Sequence, residues 1–313
     1  MSVTVVGSIA FDAVQTPHGG RERMLGGAAV HFALAASFFD EVRVVGPVGD
    51  DFGDDEYAVL HGRNVNTEDI EHVEGGKTFF WSGVYGRNMN SRDTLETDLN
   101  VFETFQPKLS DASRDCDVLF LANILPELQL EVRQQCENAT FVALDSMDLW
   151  INIARDKLTA AIETVDCVIL NDSEIELFTG EGEIVGGARK IIELGPSAVV
   201  VKLGKYGAAL VTAEDSFWVP AFPVEFVADP TGAGDSFAGG LLGCIATALQ
   251  AGEDITTQTM RVAMAYGTAV ASYNVEEFGT ERVAGLTADE IVERVRELQR
   301  ITTFDAEKKL ALT

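Results

Sequence analysis

The stretch DPTGAGDSFAGG, Asp229 to Gly240, decides how this chain is read. Glu225 to Ala228 ahead of it reads as a strand, Pro230 forces a turn, and Asp235 to Leu249 reads as a helix rich in Gly and Ala. A strand, a glycine-rich turn and a helix start form an anion site. The first N–H groups of the helix have no intrahelical acceptor, the helix dipole is positive there, and glycine lets the backbone approach a phosphate. Asp235 would then set one anion against another, unless it acts as a base. Such a carboxylate could take the proton of a substrate hydroxyl while the N–H groups hold the charge on a transferring phosphoryl group. The competing reading is a plain helix cap, the common use of an acidic residue in a first turn.

Outward from that stretch the chain alternates. Short β-branched runs recur at Val3 to Val6, Val42 to Val45, Asp117 to Leu121, Phe141 to Leu144, Cys167 to Leu170 and Ala198 to Val201. Helix-compatible stretches lie between them, among them Ala28 to Phe39, Leu125 to Cys136 and Ile151 to Thr164. This alternation predicts an α/β fold with a mostly parallel sheet covered by helices on both faces. No repeat or low-complexity linker divides the chain, so residues 1–313 are expected to form one domain. Two segments break the rhythm: the turn-rich Thr16 to Arg23, and the helix-free Lys77 to Phe105 with its aromatic, Thr and Asn residues. They read as a small sheet beside the main one, either a lid over a site or a surface meander.

Composition excludes several classes. No apolar run approaches the ~18 residues of a membrane span. The first residues, MSVTVVGSIAFDAV, lack a basic region and read as a strand instead of a signal peptide. Cys116, Cys136, Cys167 and Cys244 are scattered without a CxxC, which fits a reducing cytoplasm and no zinc site. The four histidines have no metal-ligand spacing. A formal charge of −27 repels nucleic acid and anionic membrane, so neither is an expected partner. Gly75 to Thr78, GGKT, ends like a P-loop, but Glu71 stands where that motif needs its first glycine. Gly234 to Ala238 lacks the last glycine of a nucleophile elbow, and Ala28 and Ala29 after Gly26-Gly27 break any dinucleotide fingerprint.

DPTGAGDSFAGG resembles the C-terminal signature of the ribokinase-like carbohydrate kinases, the PfkB family. Other pieces follow in that family's order over nearly the whole chain. GSIAFD (Gly7 to Asp12) resembles its first strand and substrate aspartate, and LGGAAVHFALAASFF (Leu25 to Phe39) its double-glycine signature. NDSE (Asn171 to Glu174) is similar to its NxxE motif, and VKLGKYGA (Val201 to Ala208) to its nucleotide-binding strand and turn. NVEEFGT (Asn274 to Thr280) resembles the loop that closes over adenine and shapes a monovalent-cation site.

The resemblance implies a three-layer α/β/α sandwich with a mostly parallel central sheet and a small β-lid from about residues 12–25 and 77–105. It implies transfer of the γ-phosphate of Mg-ATP to a hydroxyl of a small polyol, a sugar foremost, with a nucleoside or cyclitol as the alternative. Asp235 would be the general base, with Gly232, Ala233 and Gly234 as the anion hole. Asn171 and Glu174 would act on the nucleotide phosphates through water and Mg²⁺. Lys202, Gly204, Gly207, Thr231, Asn274 and Gly279 would line the nucleotide site. Asp12, Gly26, Gly27 and His31 would hold the substrate, His31 standing where many members carry Asn. Asp229 and Thr231 would offer oxygens to a K⁺ ion, and the lid could form a homodimer.

In the lid segment, strand alternation sends Phe79 and Trp81 to one face and Phe80 to the other, most simply for packing. Arg87 and Arg92 sit among turn residues and read as solvated charges. Two other classes compete: an oxidoreductase on a doubly wound sheet, disfavoured without a fingerprint, and a kinase-fold binding module, disfavoured by the intact Asp235 and NxxE pair. The acidic surface, with more Arg than Lys, predicts salt adaptation. The melting temperature is expected to rise between low and high KCl; a value indifferent to salt would contradict that.

Overall fold

The structure is a computed structural model, and it describes residues 2–304. Met1 and residues 305–313, which the single-domain expectation includes, lie outside the described residues. The first seven strands are β1 (Ser2–Val6), β2 (Ala10–Thr16), β3 (Gly19–Gly26), β4 (Glu41–Val48), β5 (Ile70–His72), β6 (Phe79–Tyr85) and β7 (Arg92–Asp98). Six follow: β8 (Val118–Leu121), β9 (Phe141–Asp145), β10 (Cys167–Asn171), β11 (Ala198–Lys202), β12 (Ala208–Thr212) and β13 (Ser216–Val219).

Nine of these strands form one sheet in the order β13-β12-β11-β10-β9-β8-β1-β4-β5. Pairing is parallel from β5 to β11 and antiparallel only at β12 and β13. Both faces of the sheet are covered, so its strands are almost continuously apolar, as parallel sheets require. Alternation along them feeds two cores. Val3, Val5, Val118, Phe120, Ile169 and Val200 join one, and Val6, Leu119, Leu121, Val168, Leu170 and Val199 join the other. Helices Ala28–Ala36, Ala233–Gln250 and Thr257–Asn274 close the first core, and Pro126–Gln135, Arg155–Ile162 and Ile184–Ile192 close the second.

The first helical layer is built from small residues for a reason. A Cβ on Gly239 would meet the Phe32 carbonyl at 2.4 Å, and one on Gly240 would meet Gly267 Cα at 3.0 Å. The helices therefore touch backbone to backbone. That contact fixes the start of the Ala233–Gln250 helix at the carboxyl ends of the strands, where an open α/β sheet binds its ligands.

The remaining four strands make a second sheet, β3-β2-β6-β7, with β2 parallel to β6 and the outer pairs antiparallel. Both rhythm-breaking segments lie in it, and Asn100–Thr104 adds a short 3₁₀ turn. Two local expectations fail. Glu225 to Ala228 is irregular: its strand-like residues find no ladder, and the Ala228 N–H donates to the Val275 carbonyl instead. Ile151 to Thr164 holds two helices that part at Ala154.

Candidate active site

The DPTGAGD segment rounds the cleft between the two sheets. Gly232 takes a left-handed conformation, φ 73°, and caps the helix that begins at Ala233. The Ala233 N–H donates to the Pro230 carbonyl at 3.2 Å. The N–H groups of Gly232 and Gly234 have no acceptor among the described residues, so they supply the free donors.

Asn274 fixes this loop from beneath. It is 1% exposed at the end of the Thr257–Asn274 helix. Its Nδ2 donates to the Thr231 carbonyl at 2.7 Å, and its Oδ1 accepts from Ser236 Oγ at 3.0 Å. His31 Nδ1 lies 3.2 Å from the same Oδ1. Because Oδ1 can only accept, the proton sits on His31 Nδ1, and Nε2 is a bare acceptor, buried with no partner. Burial holds the imidazole below its ordinary pKa, so the ring is neutral. The ring packs under Gly232, where a Cβ would lie 2.3 Å from it. His31 and Asn274 thus brace the loop from beneath.

Asp235 stands in the first helical turn, partly open to the cleft. Burial, with Asp145 beside it and against the pull of Lys202 and Arg92, pushes its carboxyl up to about 6. Asp12, at the start of the second sheet, is 5% exposed. Burial, with Asp229 and Asp235 nearby, pushes it up to about 7. Its carboxylate fills the space over Gly26, where any Cβ would lie 2.0 Å from Oδ2. Gly27, at φ 94°, turns the chain so tightly that a Cβ would strike the Ser8 carbonyl. The double glycine thus exists to admit Asp12 and the tight turn.

The donor side lies at the ends of β9, β10 and β11. Lys202 Nζ holds both oxygens of Asp145 at 3.2 Å. Burial opposes its charge, but Asp145, Glu174 and Asp235 together keep the ammonium well above its ordinary range. A Cβ on Gly234 would lie 3.5 Å from Lys202 Nζ, so the lysine reaches the anion loop. Asn171 and Glu174 form a capping box: Asn171 Oδ1 accepts from the Glu174 N–H, and Glu174 Oε2 accepts from the Asn171 N–H, each at 2.7 Å. Burial pushes Glu174 up to about 7, against the pull of Lys202. Gly204 and Gly207, at φ 55° and 108°, make the turn after β11. Asp229 is fully buried; it accepts from the N–H groups of Thr231 at 2.9 Å and Gly279 at 3.1 Å.

Sequence reasoning missed three residues here. Asp145 ends the strand FVALD, and a carboxylate at the carboxyl end of a buried strand was the signal available. Tyr85 Oη accepts from Thr231 Oγ1 at 3.2 Å, joining the second sheet to the anion loop. Arg92 lies opposite Tyr85 in the β6–β7 ladder, and its guanidinium sits 5.5 Å from the Trp81 ring centroid. It is exposed, yet it acts on Asp12 and Asp235, so it is not the simple solvated charge its turn-rich context suggested. The tip of the same hairpin also reaches the donor side, where Asn90 Oδ1 accepts from the Lys205 N–H at 3.3 Å.

A parallel α/β sheet with a carboxylate beside a helix-start anion loop defines a ribokinase-like kinase fold. The pfkB family carbohydrate kinase profile matches residues 2–284, and the chain belongs to that family, whose kinases are ATP-dependent phosphotransferases acting on sugars or nucleosides. A cytidine kinase of Thermococcus kodakarensis is 28% identical over 252 residues, covering 77% of this chain and 87% of the relative. A deoxyribokinase of Salmonella typhi is 26% identical over 262 residues, covering 76% and 84%. The solved nucleoside kinase of Methanocaldococcus jannaschii superposes with a TM-score of 0.76 at 22% identity, over 95% of this chain and 98% of that one, and so shares its fold. None of the described helices is long and apolar enough to cross a membrane.

The raised carboxyl of Asp235 makes a stability prediction. Its folded value of about 6 exceeds its ordinary 3.8, so the folded state binds the proton more tightly. That contribution is fully present below pH 3.8 and is lost as pH rises through 6. Asp235→Asn removes a cost of at most about 3 kcal/mol at pH 8. Its melting temperature should exceed wild type there by on the order of 5 °C, and the gap should narrow toward pH 4. An equal or lower melting temperature at pH 8 would contradict this electrostatic reading.

Proposed function

We propose that this protein transfers the γ-phosphoryl group of Mg·ATP to a hydroxyl of a small acceptor that carries a vicinal diol. The observation that supports this most is the placing of Asp235 next to the free N–H groups of Gly232 and Gly234, with Lys202 against Gly234. Asp235 takes the acceptor hydroxyl's proton, and the oxygen forms its bond to phosphorus. The bond from phosphorus to the β–γ bridging oxygen breaks, and ADP leaves with that electron pair. The N–H groups and Lys202 hold the charge that spreads over the phosphoryl oxygens. Its value of about 6 keeps Asp235 ionised at neutral pH while leaving it more basic than an ordinary carboxylate.

Asp12 grips the diol, since one carboxylate accepts from two hydroxyls. Glu174 and Asp145 fit a hard cation held largely through water. Both are buried oxygen donors facing one lysine, and no cluster of three or more His, Cys, Asp or Glu among the described residues forms a protein cage for a metal. Mg²⁺ there would neutralise phosphate charge. Asp229 fits a potassium-sized ion, because it is buried with no basic partner among the described residues.

The acceptor follows from the second sheet. The sequence favours a free sugar. In the structure Trp81 pairs with Asp12 across the β2–β6 ladder, and its indole lies across Gly83, where a Cβ would sit 2.3 Å from it. A flat ring beside the diol-gripping carboxylate favours a ribonucleoside, with the base on the indole and the ribose on Asp12. Of the relatives named above, the cytidine kinase and the nucleoside kinase carry nucleosides in their names, and the deoxyribokinase carries a sugar.

ADP release from Mg·ATP, measured with K⁺ across ribonucleosides, free sugars and cyclitols, tests this. Ribonucleosides should turn over with the highest kcat/KM, and Trp81→Ala should raise their KM and leave any sugar KM alone. Faster turnover of sugars would return the acceptor to that class. ATP binding without turnover of any polyol would favour the kinase-fold binding module.

A further inference from the structure

The cleft carries an unbalanced charge. Asp12, Asp145, Glu174, Asp229 and Asp235 surround it, and the groups that offset Asp12 and Asp235 are Lys202 and Arg92. A triphosphate brings more negative charge. Lys202 is committed: both Asp145 oxygens hold its Nζ. It covers the Gly234 end of the anion loop. At the Thr231 end the neighbour is Tyr85, whose hydroxyl accepts from Thr231 Oγ1.

Arg92 arrives at that end. It opens β7 and pairs with Tyr85 in register, so the two side chains share one face of the second sheet. Its guanidinium has no carboxylate partner among the described residues, unlike Arg23, Arg43, Arg114, Arg261, Arg282, Arg294 and Arg300. A planar donor fork, free of any salt bridge, stands beside the loop where a phosphoryl group would pass.

We propose that Arg92 is a further residue of the transfer step, its guanidinium contacting the migrating phosphoryl oxygens at the Thr231 end of the loop as Lys202 does at the Gly234 end. This rests on the phosphotransfer reading above. Thr231 holds the Tyr85 hydroxyl, and Tyr85 stands beside Arg92 in the ladder, so the second sheet brings a positive charge toward the loop. Tyr85 is a positioning residue in this arrangement.

The test compares Arg92→Ala, Arg92→Lys and Tyr85→Phe with wild type in the full chain, using whichever acceptor wild type phosphorylates. Arg92 is exposed on an edge strand, so the fold should survive, and ATP affinity by thermal shift checks it. Arg92→Ala should lower kcat by about 10²–10³-fold, with acceptor KM and ATP affinity within a few-fold of wild type. Arg92→Lys should fall between, Tyr85→Phe should lose less than Arg92→Ala, and millimolar guanidinium should restore part of the Arg92→Ala rate. An unchanged kcat, a loss confined to acceptor KM, or no guanidinium rescue would overturn the assignment. If wild type itself phosphorylates no acceptor, the phosphotransfer reading fails first, which is a separate result.

Discussion

One buried amide holds the working part of this molecule in shape. Asn274 donates to the Thr231 carbonyl and accepts from Ser236 and His31, and all four residues belong to different elements or to the loop itself. The direction of each bond fixes the next: the amide orientation sets the histidine tautomer, and the histidine ring carries Gly232. Removing the amide would leave three buried polar groups without a partner, at about 1–3 kcal/mol each. The left-handed turn at Gly232, and hence the aim of the free N–H groups, depends on that network.

Above it, the protein accepts an electrostatic cost. Asp12, Glu174 and Asp235 each sit where burial and neighbouring carboxylates raise their pKa. A fold selected for stability alone would not gather them. The arrangement makes sense when a cation and an acceptor diol are to be brought in, since the cation offsets the carboxylate charge and the diol donates hydrogen bonds to it. The second sheet completes the enclosure. Its hairpins touch the loop through Tyr85 and the donor-side turn through Asn90, so both halves of the site meet one element.

Much of this was legible in the sequence because it is local. The β-branched runs placed the strands, and their alternation with helix-compatible stretches predicted two covered faces. DPTGAGD placed an aspartate, a left-handed glycine and a helix start within seven residues, so its geometry needed no distant partner. NDSE was legible for the same reason, although the structure shows it first as a capping box. What sequence could not show were contacts made by register and by helix ends. Arg92 reaches the site only because β7 pairs it with Tyr85. Asp145 matters only because Lys202, two residues beyond its level on β11, reaches back to it across β10. Asn274 and His31 were assigned to ligands through the resemblance of their motifs; their bonds to each other and to the loop depend on burial and on a separation of 243 residues that no local pattern shows. Glu225 to Ala228 had strand residues, but they pair with no strand, and the Ala228 N–H goes to the Val275 carbonyl instead.

The central claim is that Asp235 takes the acceptor's proton while the adjoining loop holds the phosphoryl group. Single-turnover transfer from Mg·ATP, in wild type and Asp235→Asn, tests it most directly when nucleotide affinity is measured on the same samples. The account predicts unchanged ATP affinity and a transfer rate lower by about 10²–10⁴-fold, the usual worth of a positioned base. Near-normal transfer in Asp235→Asn would contradict it and leave the aspartate as a helix cap.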